Sequence, residues 1–288
     1  EVLLGYPVYG IFEDNLALYG SANGVQSVKA KKLILATGAN ENNLCIQGST
    51  LPGVMTAGAA QTMVNLHHVQ PGSRVVMVGS GNVGLIVSYQ MLQAGIDVVA
   101  VVEAAPSIGG YGVHANKLRR AGVPFYLSHT INRIMGEDGV QQVELVELDH
   151  FKPVPGTEMI LDADTVCMAV GLTPMVELAR MAGCQMVEIP SLGGVLPLHD
   201  EDMCTTNPDV YIAGDISGVE EASTAMEEGR LAGIAAAEAL GYLSTECAAQ
   251  EKDAIRARLN TLRSGDFGQK RADAKEQIVN YFHQGGKQ

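Results

Sequence analysis

The stretch from Arg74 to Glu103, RVVMVGSGNVGLIVSYQMLQAGIDVVAVVE, constrains this chain more than any other part of it. Val75, Val76, Met77 and Val78 form a continuous apolar run, the pattern of a parallel strand buried on both faces. Gly79, Gly81 and Gly84 follow in the spacing G-x-G-x-x-G. The first glycine of such a turn permits the tight bend. The second lets the backbone approach a pyrophosphate, and the third lets the helix pack close to the strand. A helix is predicted from about Asn82 to Ala94, its positive end facing the phosphates, with Gly95 as its stop. Ile96 to Val102 reads as a second buried strand, closed by Glu103.

Glu103 lies about 20 residues past the glycines, where an acid accepts hydrogen bonds from ribose hydroxyls. Ala104 and Ala105 follow it, so a 2′-phosphate would meet a carboxylate with no arginine beside it. NAD(H) is therefore expected in preference to NADP(H). The binding residues are Gly79, Ser80, Gly81, Asn82, Val83, Gly84 and Glu103. The blander alternative is a glycine turn used only for packing.

Length and composition set outer bounds. The chain has 288 residues, enough for two domains, and its 47% hydrophobic and 18% charged content fits a globular α/β protein. A net charge of −13 makes nucleic acid and anionic membrane surfaces poor partners. No apolar run is long enough to span a bilayer, and no signal-peptide pattern opens the sequence, so the cytoplasm is the expected compartment. Cys45, Cys167, Cys184, Cys204 and Cys247 are scattered without a C-x-x-C pair. Neither a redox disulfide nor an iron–sulfur or zinc site has its usual ligand spacing, and no metal site is expected.

Around the glycine unit the pattern is mixed. Pro7–Phe12, Leu16–Tyr19 and Val25–Ala30 read as a β-meander, and Lys32–Ala36 as an apolar strand ending in Thr37-Gly38. A helix is expected from about Ala57 to His68, with His67 and His68 at its C-terminal end. Ala115–Ala121 reads as a helix, and Thr130–Met135 with Val140–Leu148 as a hairpin. Asp164–Val170 returns as a buried strand. Val195–Ile212 is strand and turn, closing on Gly214-Asp215, and an alanine-rich helix runs from about Ala222 to Leu240. Glu227, Glu228 and Arg230 on that helix read as a surface pair rather than a catalytic acid pair. His114 follows a glycine-rich loop and is a candidate for nicotinamide contact, a plain loop histidine being the alternative. The charged segment after residue 245 reads as a surface helix or partly ordered extension.

Three further motifs, in order around the glycine unit, carry a resemblance. LILATGA (Leu33–Ala39) looks like the "ATG" segment of flavoproteins with two dinucleotide-binding domains. MAVGLTP (Met168–Pro174) looks like the second such segment, and TTNPDVYIAGD (Thr205–Asp215) like the segment whose aspartate holds FAD. Together they resemble the pyridine nucleotide-disulfide oxidoreductase superfamily. LPGVMTAGAAQTMVN (Leu51–Asn65) and EEASTAMEEGRLAGIAAAEALG (Glu220–Gly241) look most like flavin subunits of amine and opine dehydrogenases. Sarcosine oxidase α-subunit and hydrogen cyanide synthase are relatives of that kind.

The resemblance implies an α/β fold with a Rossmann-like NAD domain, residues 55–174, inserted in an incomplete FAD-binding domain. Segments 1–54 and 175–243 would belong to the FAD domain and 244–288 would be a helical or partly ordered tail. It adds Gly171 to the NAD site. It implies that Thr37, Gly38, Gly214, Asp215, Ala222 and Ser223 face FAD, if FAD binds. The implied function is hydride transfer between NAD(H) and flavin, of the non-disulfide type. No side chain is required as acid or base, so no catalytic residue is assigned.

The resemblance fails at two places, one of them the redox C-x-x-C of disulfide-reducing members, in whose region this sequence has only Cys45. The family's opening strand and glycine fingerprint, which hold the ADP part of FAD, are absent, and roughly 90 to 100 residues are expected to be missing. They could be truncated, cleaved or supplied by a separate chain; alternatively the chain is an NAD(H)-binding, non-catalytic subunit without FAD. An amine-oxidising or iron–sulfur subunit is a second expected partner, and a homodimer a third arrangement.

Overall fold

The computed structural model describes residues 1–12, 15–20 and 24–285. The chain divides into two compact units, a central one of Glu41–Gly171 and a flanking one of Glu1–Asn40 with Leu172–Gln288.

The central unit is built on a five-stranded sheet in the order Val54–Thr56, Thr165–Met168, Arg74–Val78, Asp97–Glu103, Phe125–Leu127. All its pairings are parallel. The apolar run of the Arg74–Val78 strand is used on both sides. Val75 and Met77 enter one core with Leu85, Met91 and Leu118 from the helices Asn82–Gln93 and Gly112–Arg120. Val76 and Val78 enter the other, with Ile131, Ile134, Val143 and Leu145 from an antiparallel layer. That layer pairs His129–Met135 with Gln142–Asp149, and the latter with Met159–Asp162. This is the α/β, Rossmann-like architecture expected from the alternating strand and helix signals.

Some boundaries differ from the sequence expectation. Residues 41–54 group with the central unit, where Leu44, Ile46, Leu51 and Val54 pack on its second core. The helix after Thr56 runs Ala57–Asn65 and stops before the two histidines. Leu66 caps it, and His68 adopts a left-handed backbone (φ 53°) that no helix can continue through.

In the flanking unit, Val8–Phe12, Asn15–Gly20 and Gly24–Lys29 form the antiparallel meander. The Leu33–Leu35 strand pairs in parallel with Val210–Ile212. The Ala222–Ala239 helix packs beneath them through Leu231, Ala232, Ala235 and Ala236. A hairpin of Met186–Ile189 and Gly194–Pro197 completes the β-structure.

Residues 245–262 and 265–283 form two helices, and both are built into this unit. Ile255 and Leu259 share a core with Leu231 and Ala232, while Ala274 and Ile278 cover the hairpin at Val187, Ile189 and Leu196. Of the expected surface helix or partly ordered extension, the segment is helical, and what differs is that both helices are packed rather than on the surface. The buried stripe of the first helix is Ala248, Lys252, Ile255 and Leu259, and Lys275 sits between Ala274 and Ile278 on the second. A lysine inside each stripe hides the apolar periodicity that marks a packed helix.

Candidate cofactor-binding sites

The three glycines of the central turn do different work. Gly79 has φ +100°, and a Cβ there would lie 2.2 Å from the Ala169 carbonyl oxygen. A Cβ on Gly84 would lie 2.2 Å from the Gly79 carbonyl oxygen. Both are demanded by packing between strand and helix. Gly81 has no atom within 4 Å of such a Cβ, so packing does not require glycine there. It borders open space at the head of the Asn82–Gln93 helix, whose first turn receives no side-chain cap. A helix start beside open space suits an anion such as a pyrophosphate. Val83 is exposed on the same first turn.

Glu103 is more tightly held than its assigned role required. Its Oε2 accepts from the Ser80 amide (2.8 Å) and the Ser80 hydroxyl (2.6 Å), and its Oε1 from the Ala105 amide (2.9 Å). Three of roughly four lone-pair sites are thus filled by the protein. Ser80 also ties in the loop beyond the strand. Its hydroxyl accepts from the Gly109 amide (2.9 Å) and its carbonyl from the Gly110 amide (2.8 Å). The Asn82 side chain accepts from the Tyr111 amide at 2.8 Å. Sequence reasoning missed this brace, since nothing in the spacing links Ser80 to residues 103, 109 and 110.

Gly171 follows the Thr165–Met168 strand, with φ +107°, and its carbonyl accepts from the Asn42 amide at 3.0 Å. His114 lies in the first turn of the Gly112–Arg120 helix rather than in a loop, its ring 6.4 Å from that of Tyr111. All five thiols are free. Cys167 is buried in its strand, where burial and then Glu41 push the thiol up to about 12.

In the flanking unit the parallel strands Leu33–Leu35 and Val210–Ile212 end side by side, so Thr37-Gly38 and Gly214-Asp215 lie at one edge. The Thr37 hydroxyl donates to the Met175 carbonyl (2.6 Å), and the Met175 amide to the Gly38 carbonyl (2.9 Å). Gly38 has φ +76° and open space where a Cβ would stand. Gly214 has φ +75° and starts a short turn, Gly214–Ser217. Burial raises the Asp215 pKa, against the lowering effect of the Glu220 amide hydrogen-bonded to it. The Ala222–Ala239 helix begins without a side-chain cap, with Ala222 exposed and Ser223 half-buried on its first turn.

Glu227 and Glu228 do not form a surface pair. Glu227 is 6% exposed and Glu228 2%. Glu227 binds Arg230 and also Arg258, which the Thr245–Leu262 helix supplies. Glu228 accepts the Gly214 amide on Oε2 at 3.0 Å. Its carboxyl would be raised by burial, but Lys275 and Arg263 hold it down at about 2.

Residues 1–229 match the family described as pyridine nucleotide-disulphide oxidoreductase. The chain belongs to this family. It is 29% identical over 248 residues to an opine oxidase subunit of Agrobacterium tumefaciens (strain Ach5), covering 78% of this chain and 47% of that protein. It is 25% identical over 266 residues to the hydrogen cyanide synthase subunit HcnB of Pseudomonas protegens, covering 86% of this chain and 56% of that protein. The chain therefore spans about half the length of the curated relatives it matches. Thioredoxin reductase of T. acidophilum shares the fold, with a TM-score of 0.66 at 21% identity over 81% of this chain and 73% of that one. The family match and these relatives agree with the resemblance read from the motifs. Among the described residues, no helix is long and apolar enough to cross a membrane.

Proposed function

We propose that this chain is the NAD(H)-binding and part of the FAD-binding portion of an oxidoreductase of this family, of the non-disulfide type. The observation that carries the reading is the central glycine turn. Its first and third glycines are sterically required, its second opens on free space at an uncapped helix start, and a braced acid ends the next strand. When bound, nicotinamide and flavin supply the hydride exchange. The residues of the chain bind and orient. Gly81, Asn82 and Val83 would offer amides to the pyrophosphate. The remaining lone pair on Glu103 would take a ribose hydroxyl, and the same carboxylate would repel a 2′-phosphate, which favours NAD(H). Gly171 would line the nicotinamide end of the NAD site.

In the flanking unit, Thr37, Gly38, Gly214 and Asp215 would let backbone approach FAD. Ala222 and Ser223 would place the positive helix end beside developing negative charge. The relatives include subunits of opine oxidase and hydrogen cyanide synthase. By analogy, an amine-type substrate and its oxidation would lie with a partner chain.

A titration of the chain with NADH and NADPH, followed by a visible spectrum with added FAD, tests this. Tighter binding of NADH than NADPH, with flavin bands retained after gel filtration, is expected. A colourless protein that holds NADH would leave only a nucleotide-binding subunit. Failure to bind NADH would end the reading altogether.

A further inference from the structure

The last two described helices bring a buried lysine, Lys275, and a largely covered arginine, Arg263, to the neighbourhood of the turn that carries Gly214 and Asp215. Lys275, 6% exposed, donates from Nζ to the Ser217 carbonyl (2.9 Å), the Ser217 hydroxyl (2.7 Å) and Glu228 Oε1 (2.7 Å). Arg263 donates from Nη2 to the same Glu228 oxygen (2.6 Å). It also grips Glu220, just before the Ala222–Ala239 helix, with Nε at 3.0 Å and Nη2 at 2.7 Å. The other Glu228 oxygen receives the Gly214 amide (3.0 Å) and the Ser217 hydroxyl (2.8 Å).

The bonds do not simply glue helix to helix. One carboxylate is shared, with the turn on one oxygen and the two tail cations on the other. Lys275 adds a direct bond to the turn's backbone. The apolar contacts of Ile255, Leu259, Ala274 and Ile278 already dock the helices. Burying four charges is an expensive way to add adhesion, because desolvation consumes most of the Coulombic gain. What the charges contribute that aliphatic side chains would not is direction: Lys275 fixes two atoms of Ser217, and Arg263 fixes the Glu228 carboxylate that holds the Gly214 amide.

We propose that Lys275 and Arg263 are positioning residues for the flavin-nucleotide site, clamping the Gly214–Asp215 turn and the start of the Ala222–Ala239 helix through Glu228 and Glu220. This rests on the reading that the turn holds a flavin nucleotide. The segment 245–283 then serves the cofactor site through the Gly214–Asp215 turn that it holds.

The test compares the full chain with Lys275→Met and Lys275→Arg. Amide hydrogen exchange is read over 214–218, with 41–171 as internal control, and FAD and NADH affinities are measured on the same samples. In Lys275→Met, exchange over 214–218 should accelerate at least about tenfold and FAD affinity should fall at least about tenfold. NADH affinity should stay as it was, and Lys275→Arg should recover part of both losses. Unchanged exchange over 214–218 in a folded Lys275→Met protein overturns the clamp. So does FAD affinity that survives the substitution. Should Lys275→Met fail to fold, Lys275→Met with Glu228→Gln strands no charge and is judged by the same criteria. A native chain that binds no FAD overturns the flavin reading but not the clamp, which the exchange rates then decide.

Discussion

The two glycine turns of this protein are held in place by different physics. The central turn, Gly79–Gly84, is braced by its own neighbourhood: Ser80 meets Glu103, Gly109 and Gly110, all within the same strand–helix–strand unit and the loop that follows. The flanking turn, Gly214–Ser217, depends on Lys275 and, through Glu228, on Arg263, which arrive from helices much further along the chain. Neutral donors and steric fit secure the first. Buried ions secure the second. The central turn should therefore tolerate changes elsewhere in the protein, whereas the flanking turn should fail when a distant charge is removed.

The largest effect that would break this contrast is expected from Glu228→Leu. It leaves Lys275 and Arg263 short of a buried partner and the Gly214 amide without its acceptor. A loss of about 3–5 kcal/mol is expected. Hydrogen exchange should show it confined to the flanking unit, and an equal loss across 41–171 would contradict the division. Gly81→Val comes next. A Cβ at that position meets no protein atom within 4 Å, so the melting temperature should hold while NADH affinity falls about 100-fold or more. Gly84→Ala is the reverse case. Its Cβ would press on the Gly79 carbonyl, so about 1–3 kcal/mol of central-unit stability should go, read by urea unfolding.

Acid should separate the units as well. His199 is buried and neutral, held from its ordinary 6.5 to about 4 by burial and then by Lys275, with Arg263 acting the same way and Glu228 and the Asp200 carbonyl opposing. The unfolded chain takes up that proton near 6.5 and the folded one only near 4, so this stability is present above 6.5 and lost as pH falls through the interval. Glu228 adds a second loss between 4.5 and about 2. Asp215, with its raised pKa, works in the opposite direction. In the central unit Glu144 and Asp164 are lowered, so their contribution is lost only below the ordinary carboxylate range. Protection from exchange, taken relative to the intrinsic rate at each pH, should fall first around His199 between pH 7 and pH 5. A central unit that loosens first would refute this ordering. The smallest effect is expected from Glu103→Gln, which should narrow the preference for NADH over NADPH by about three- to tenfold in a binding titration.

How much was legible in the sequence follows the same division. The Arg74–Glu103 unit was readable almost residue by residue, because its glycines answer to local steric limits and its strands to an unbroken apolar run. The brace of Ser80 on Glu103 was not, since a serine between two glycines carries no mark of its partner. The end of the Ala57–Asn65 helix was misplaced because two histidines fit a helix C-terminus as well as the loop they occupy. In the sequence Glu227 and Glu228 look solvated, because surface carboxylates usually are. Their partners Arg258, Arg263 and Lys275 lie 31 to 47 residues away. The final helices looked unpacked because Lys252 and Lys275 interrupt their apolar stripes.

The sequence by itself determined the parallel strands, the glycine turn between them and the family, because these depend on backbone sterics and on patterns read over a few residues. Tertiary structure alone decided which charges are buried and which atoms they hold. A carboxylate's neighbours are set by how distant helices dock, and in this protein that docking turns an ordinary-looking charged tail into the support of the Gly214–Asp215 turn.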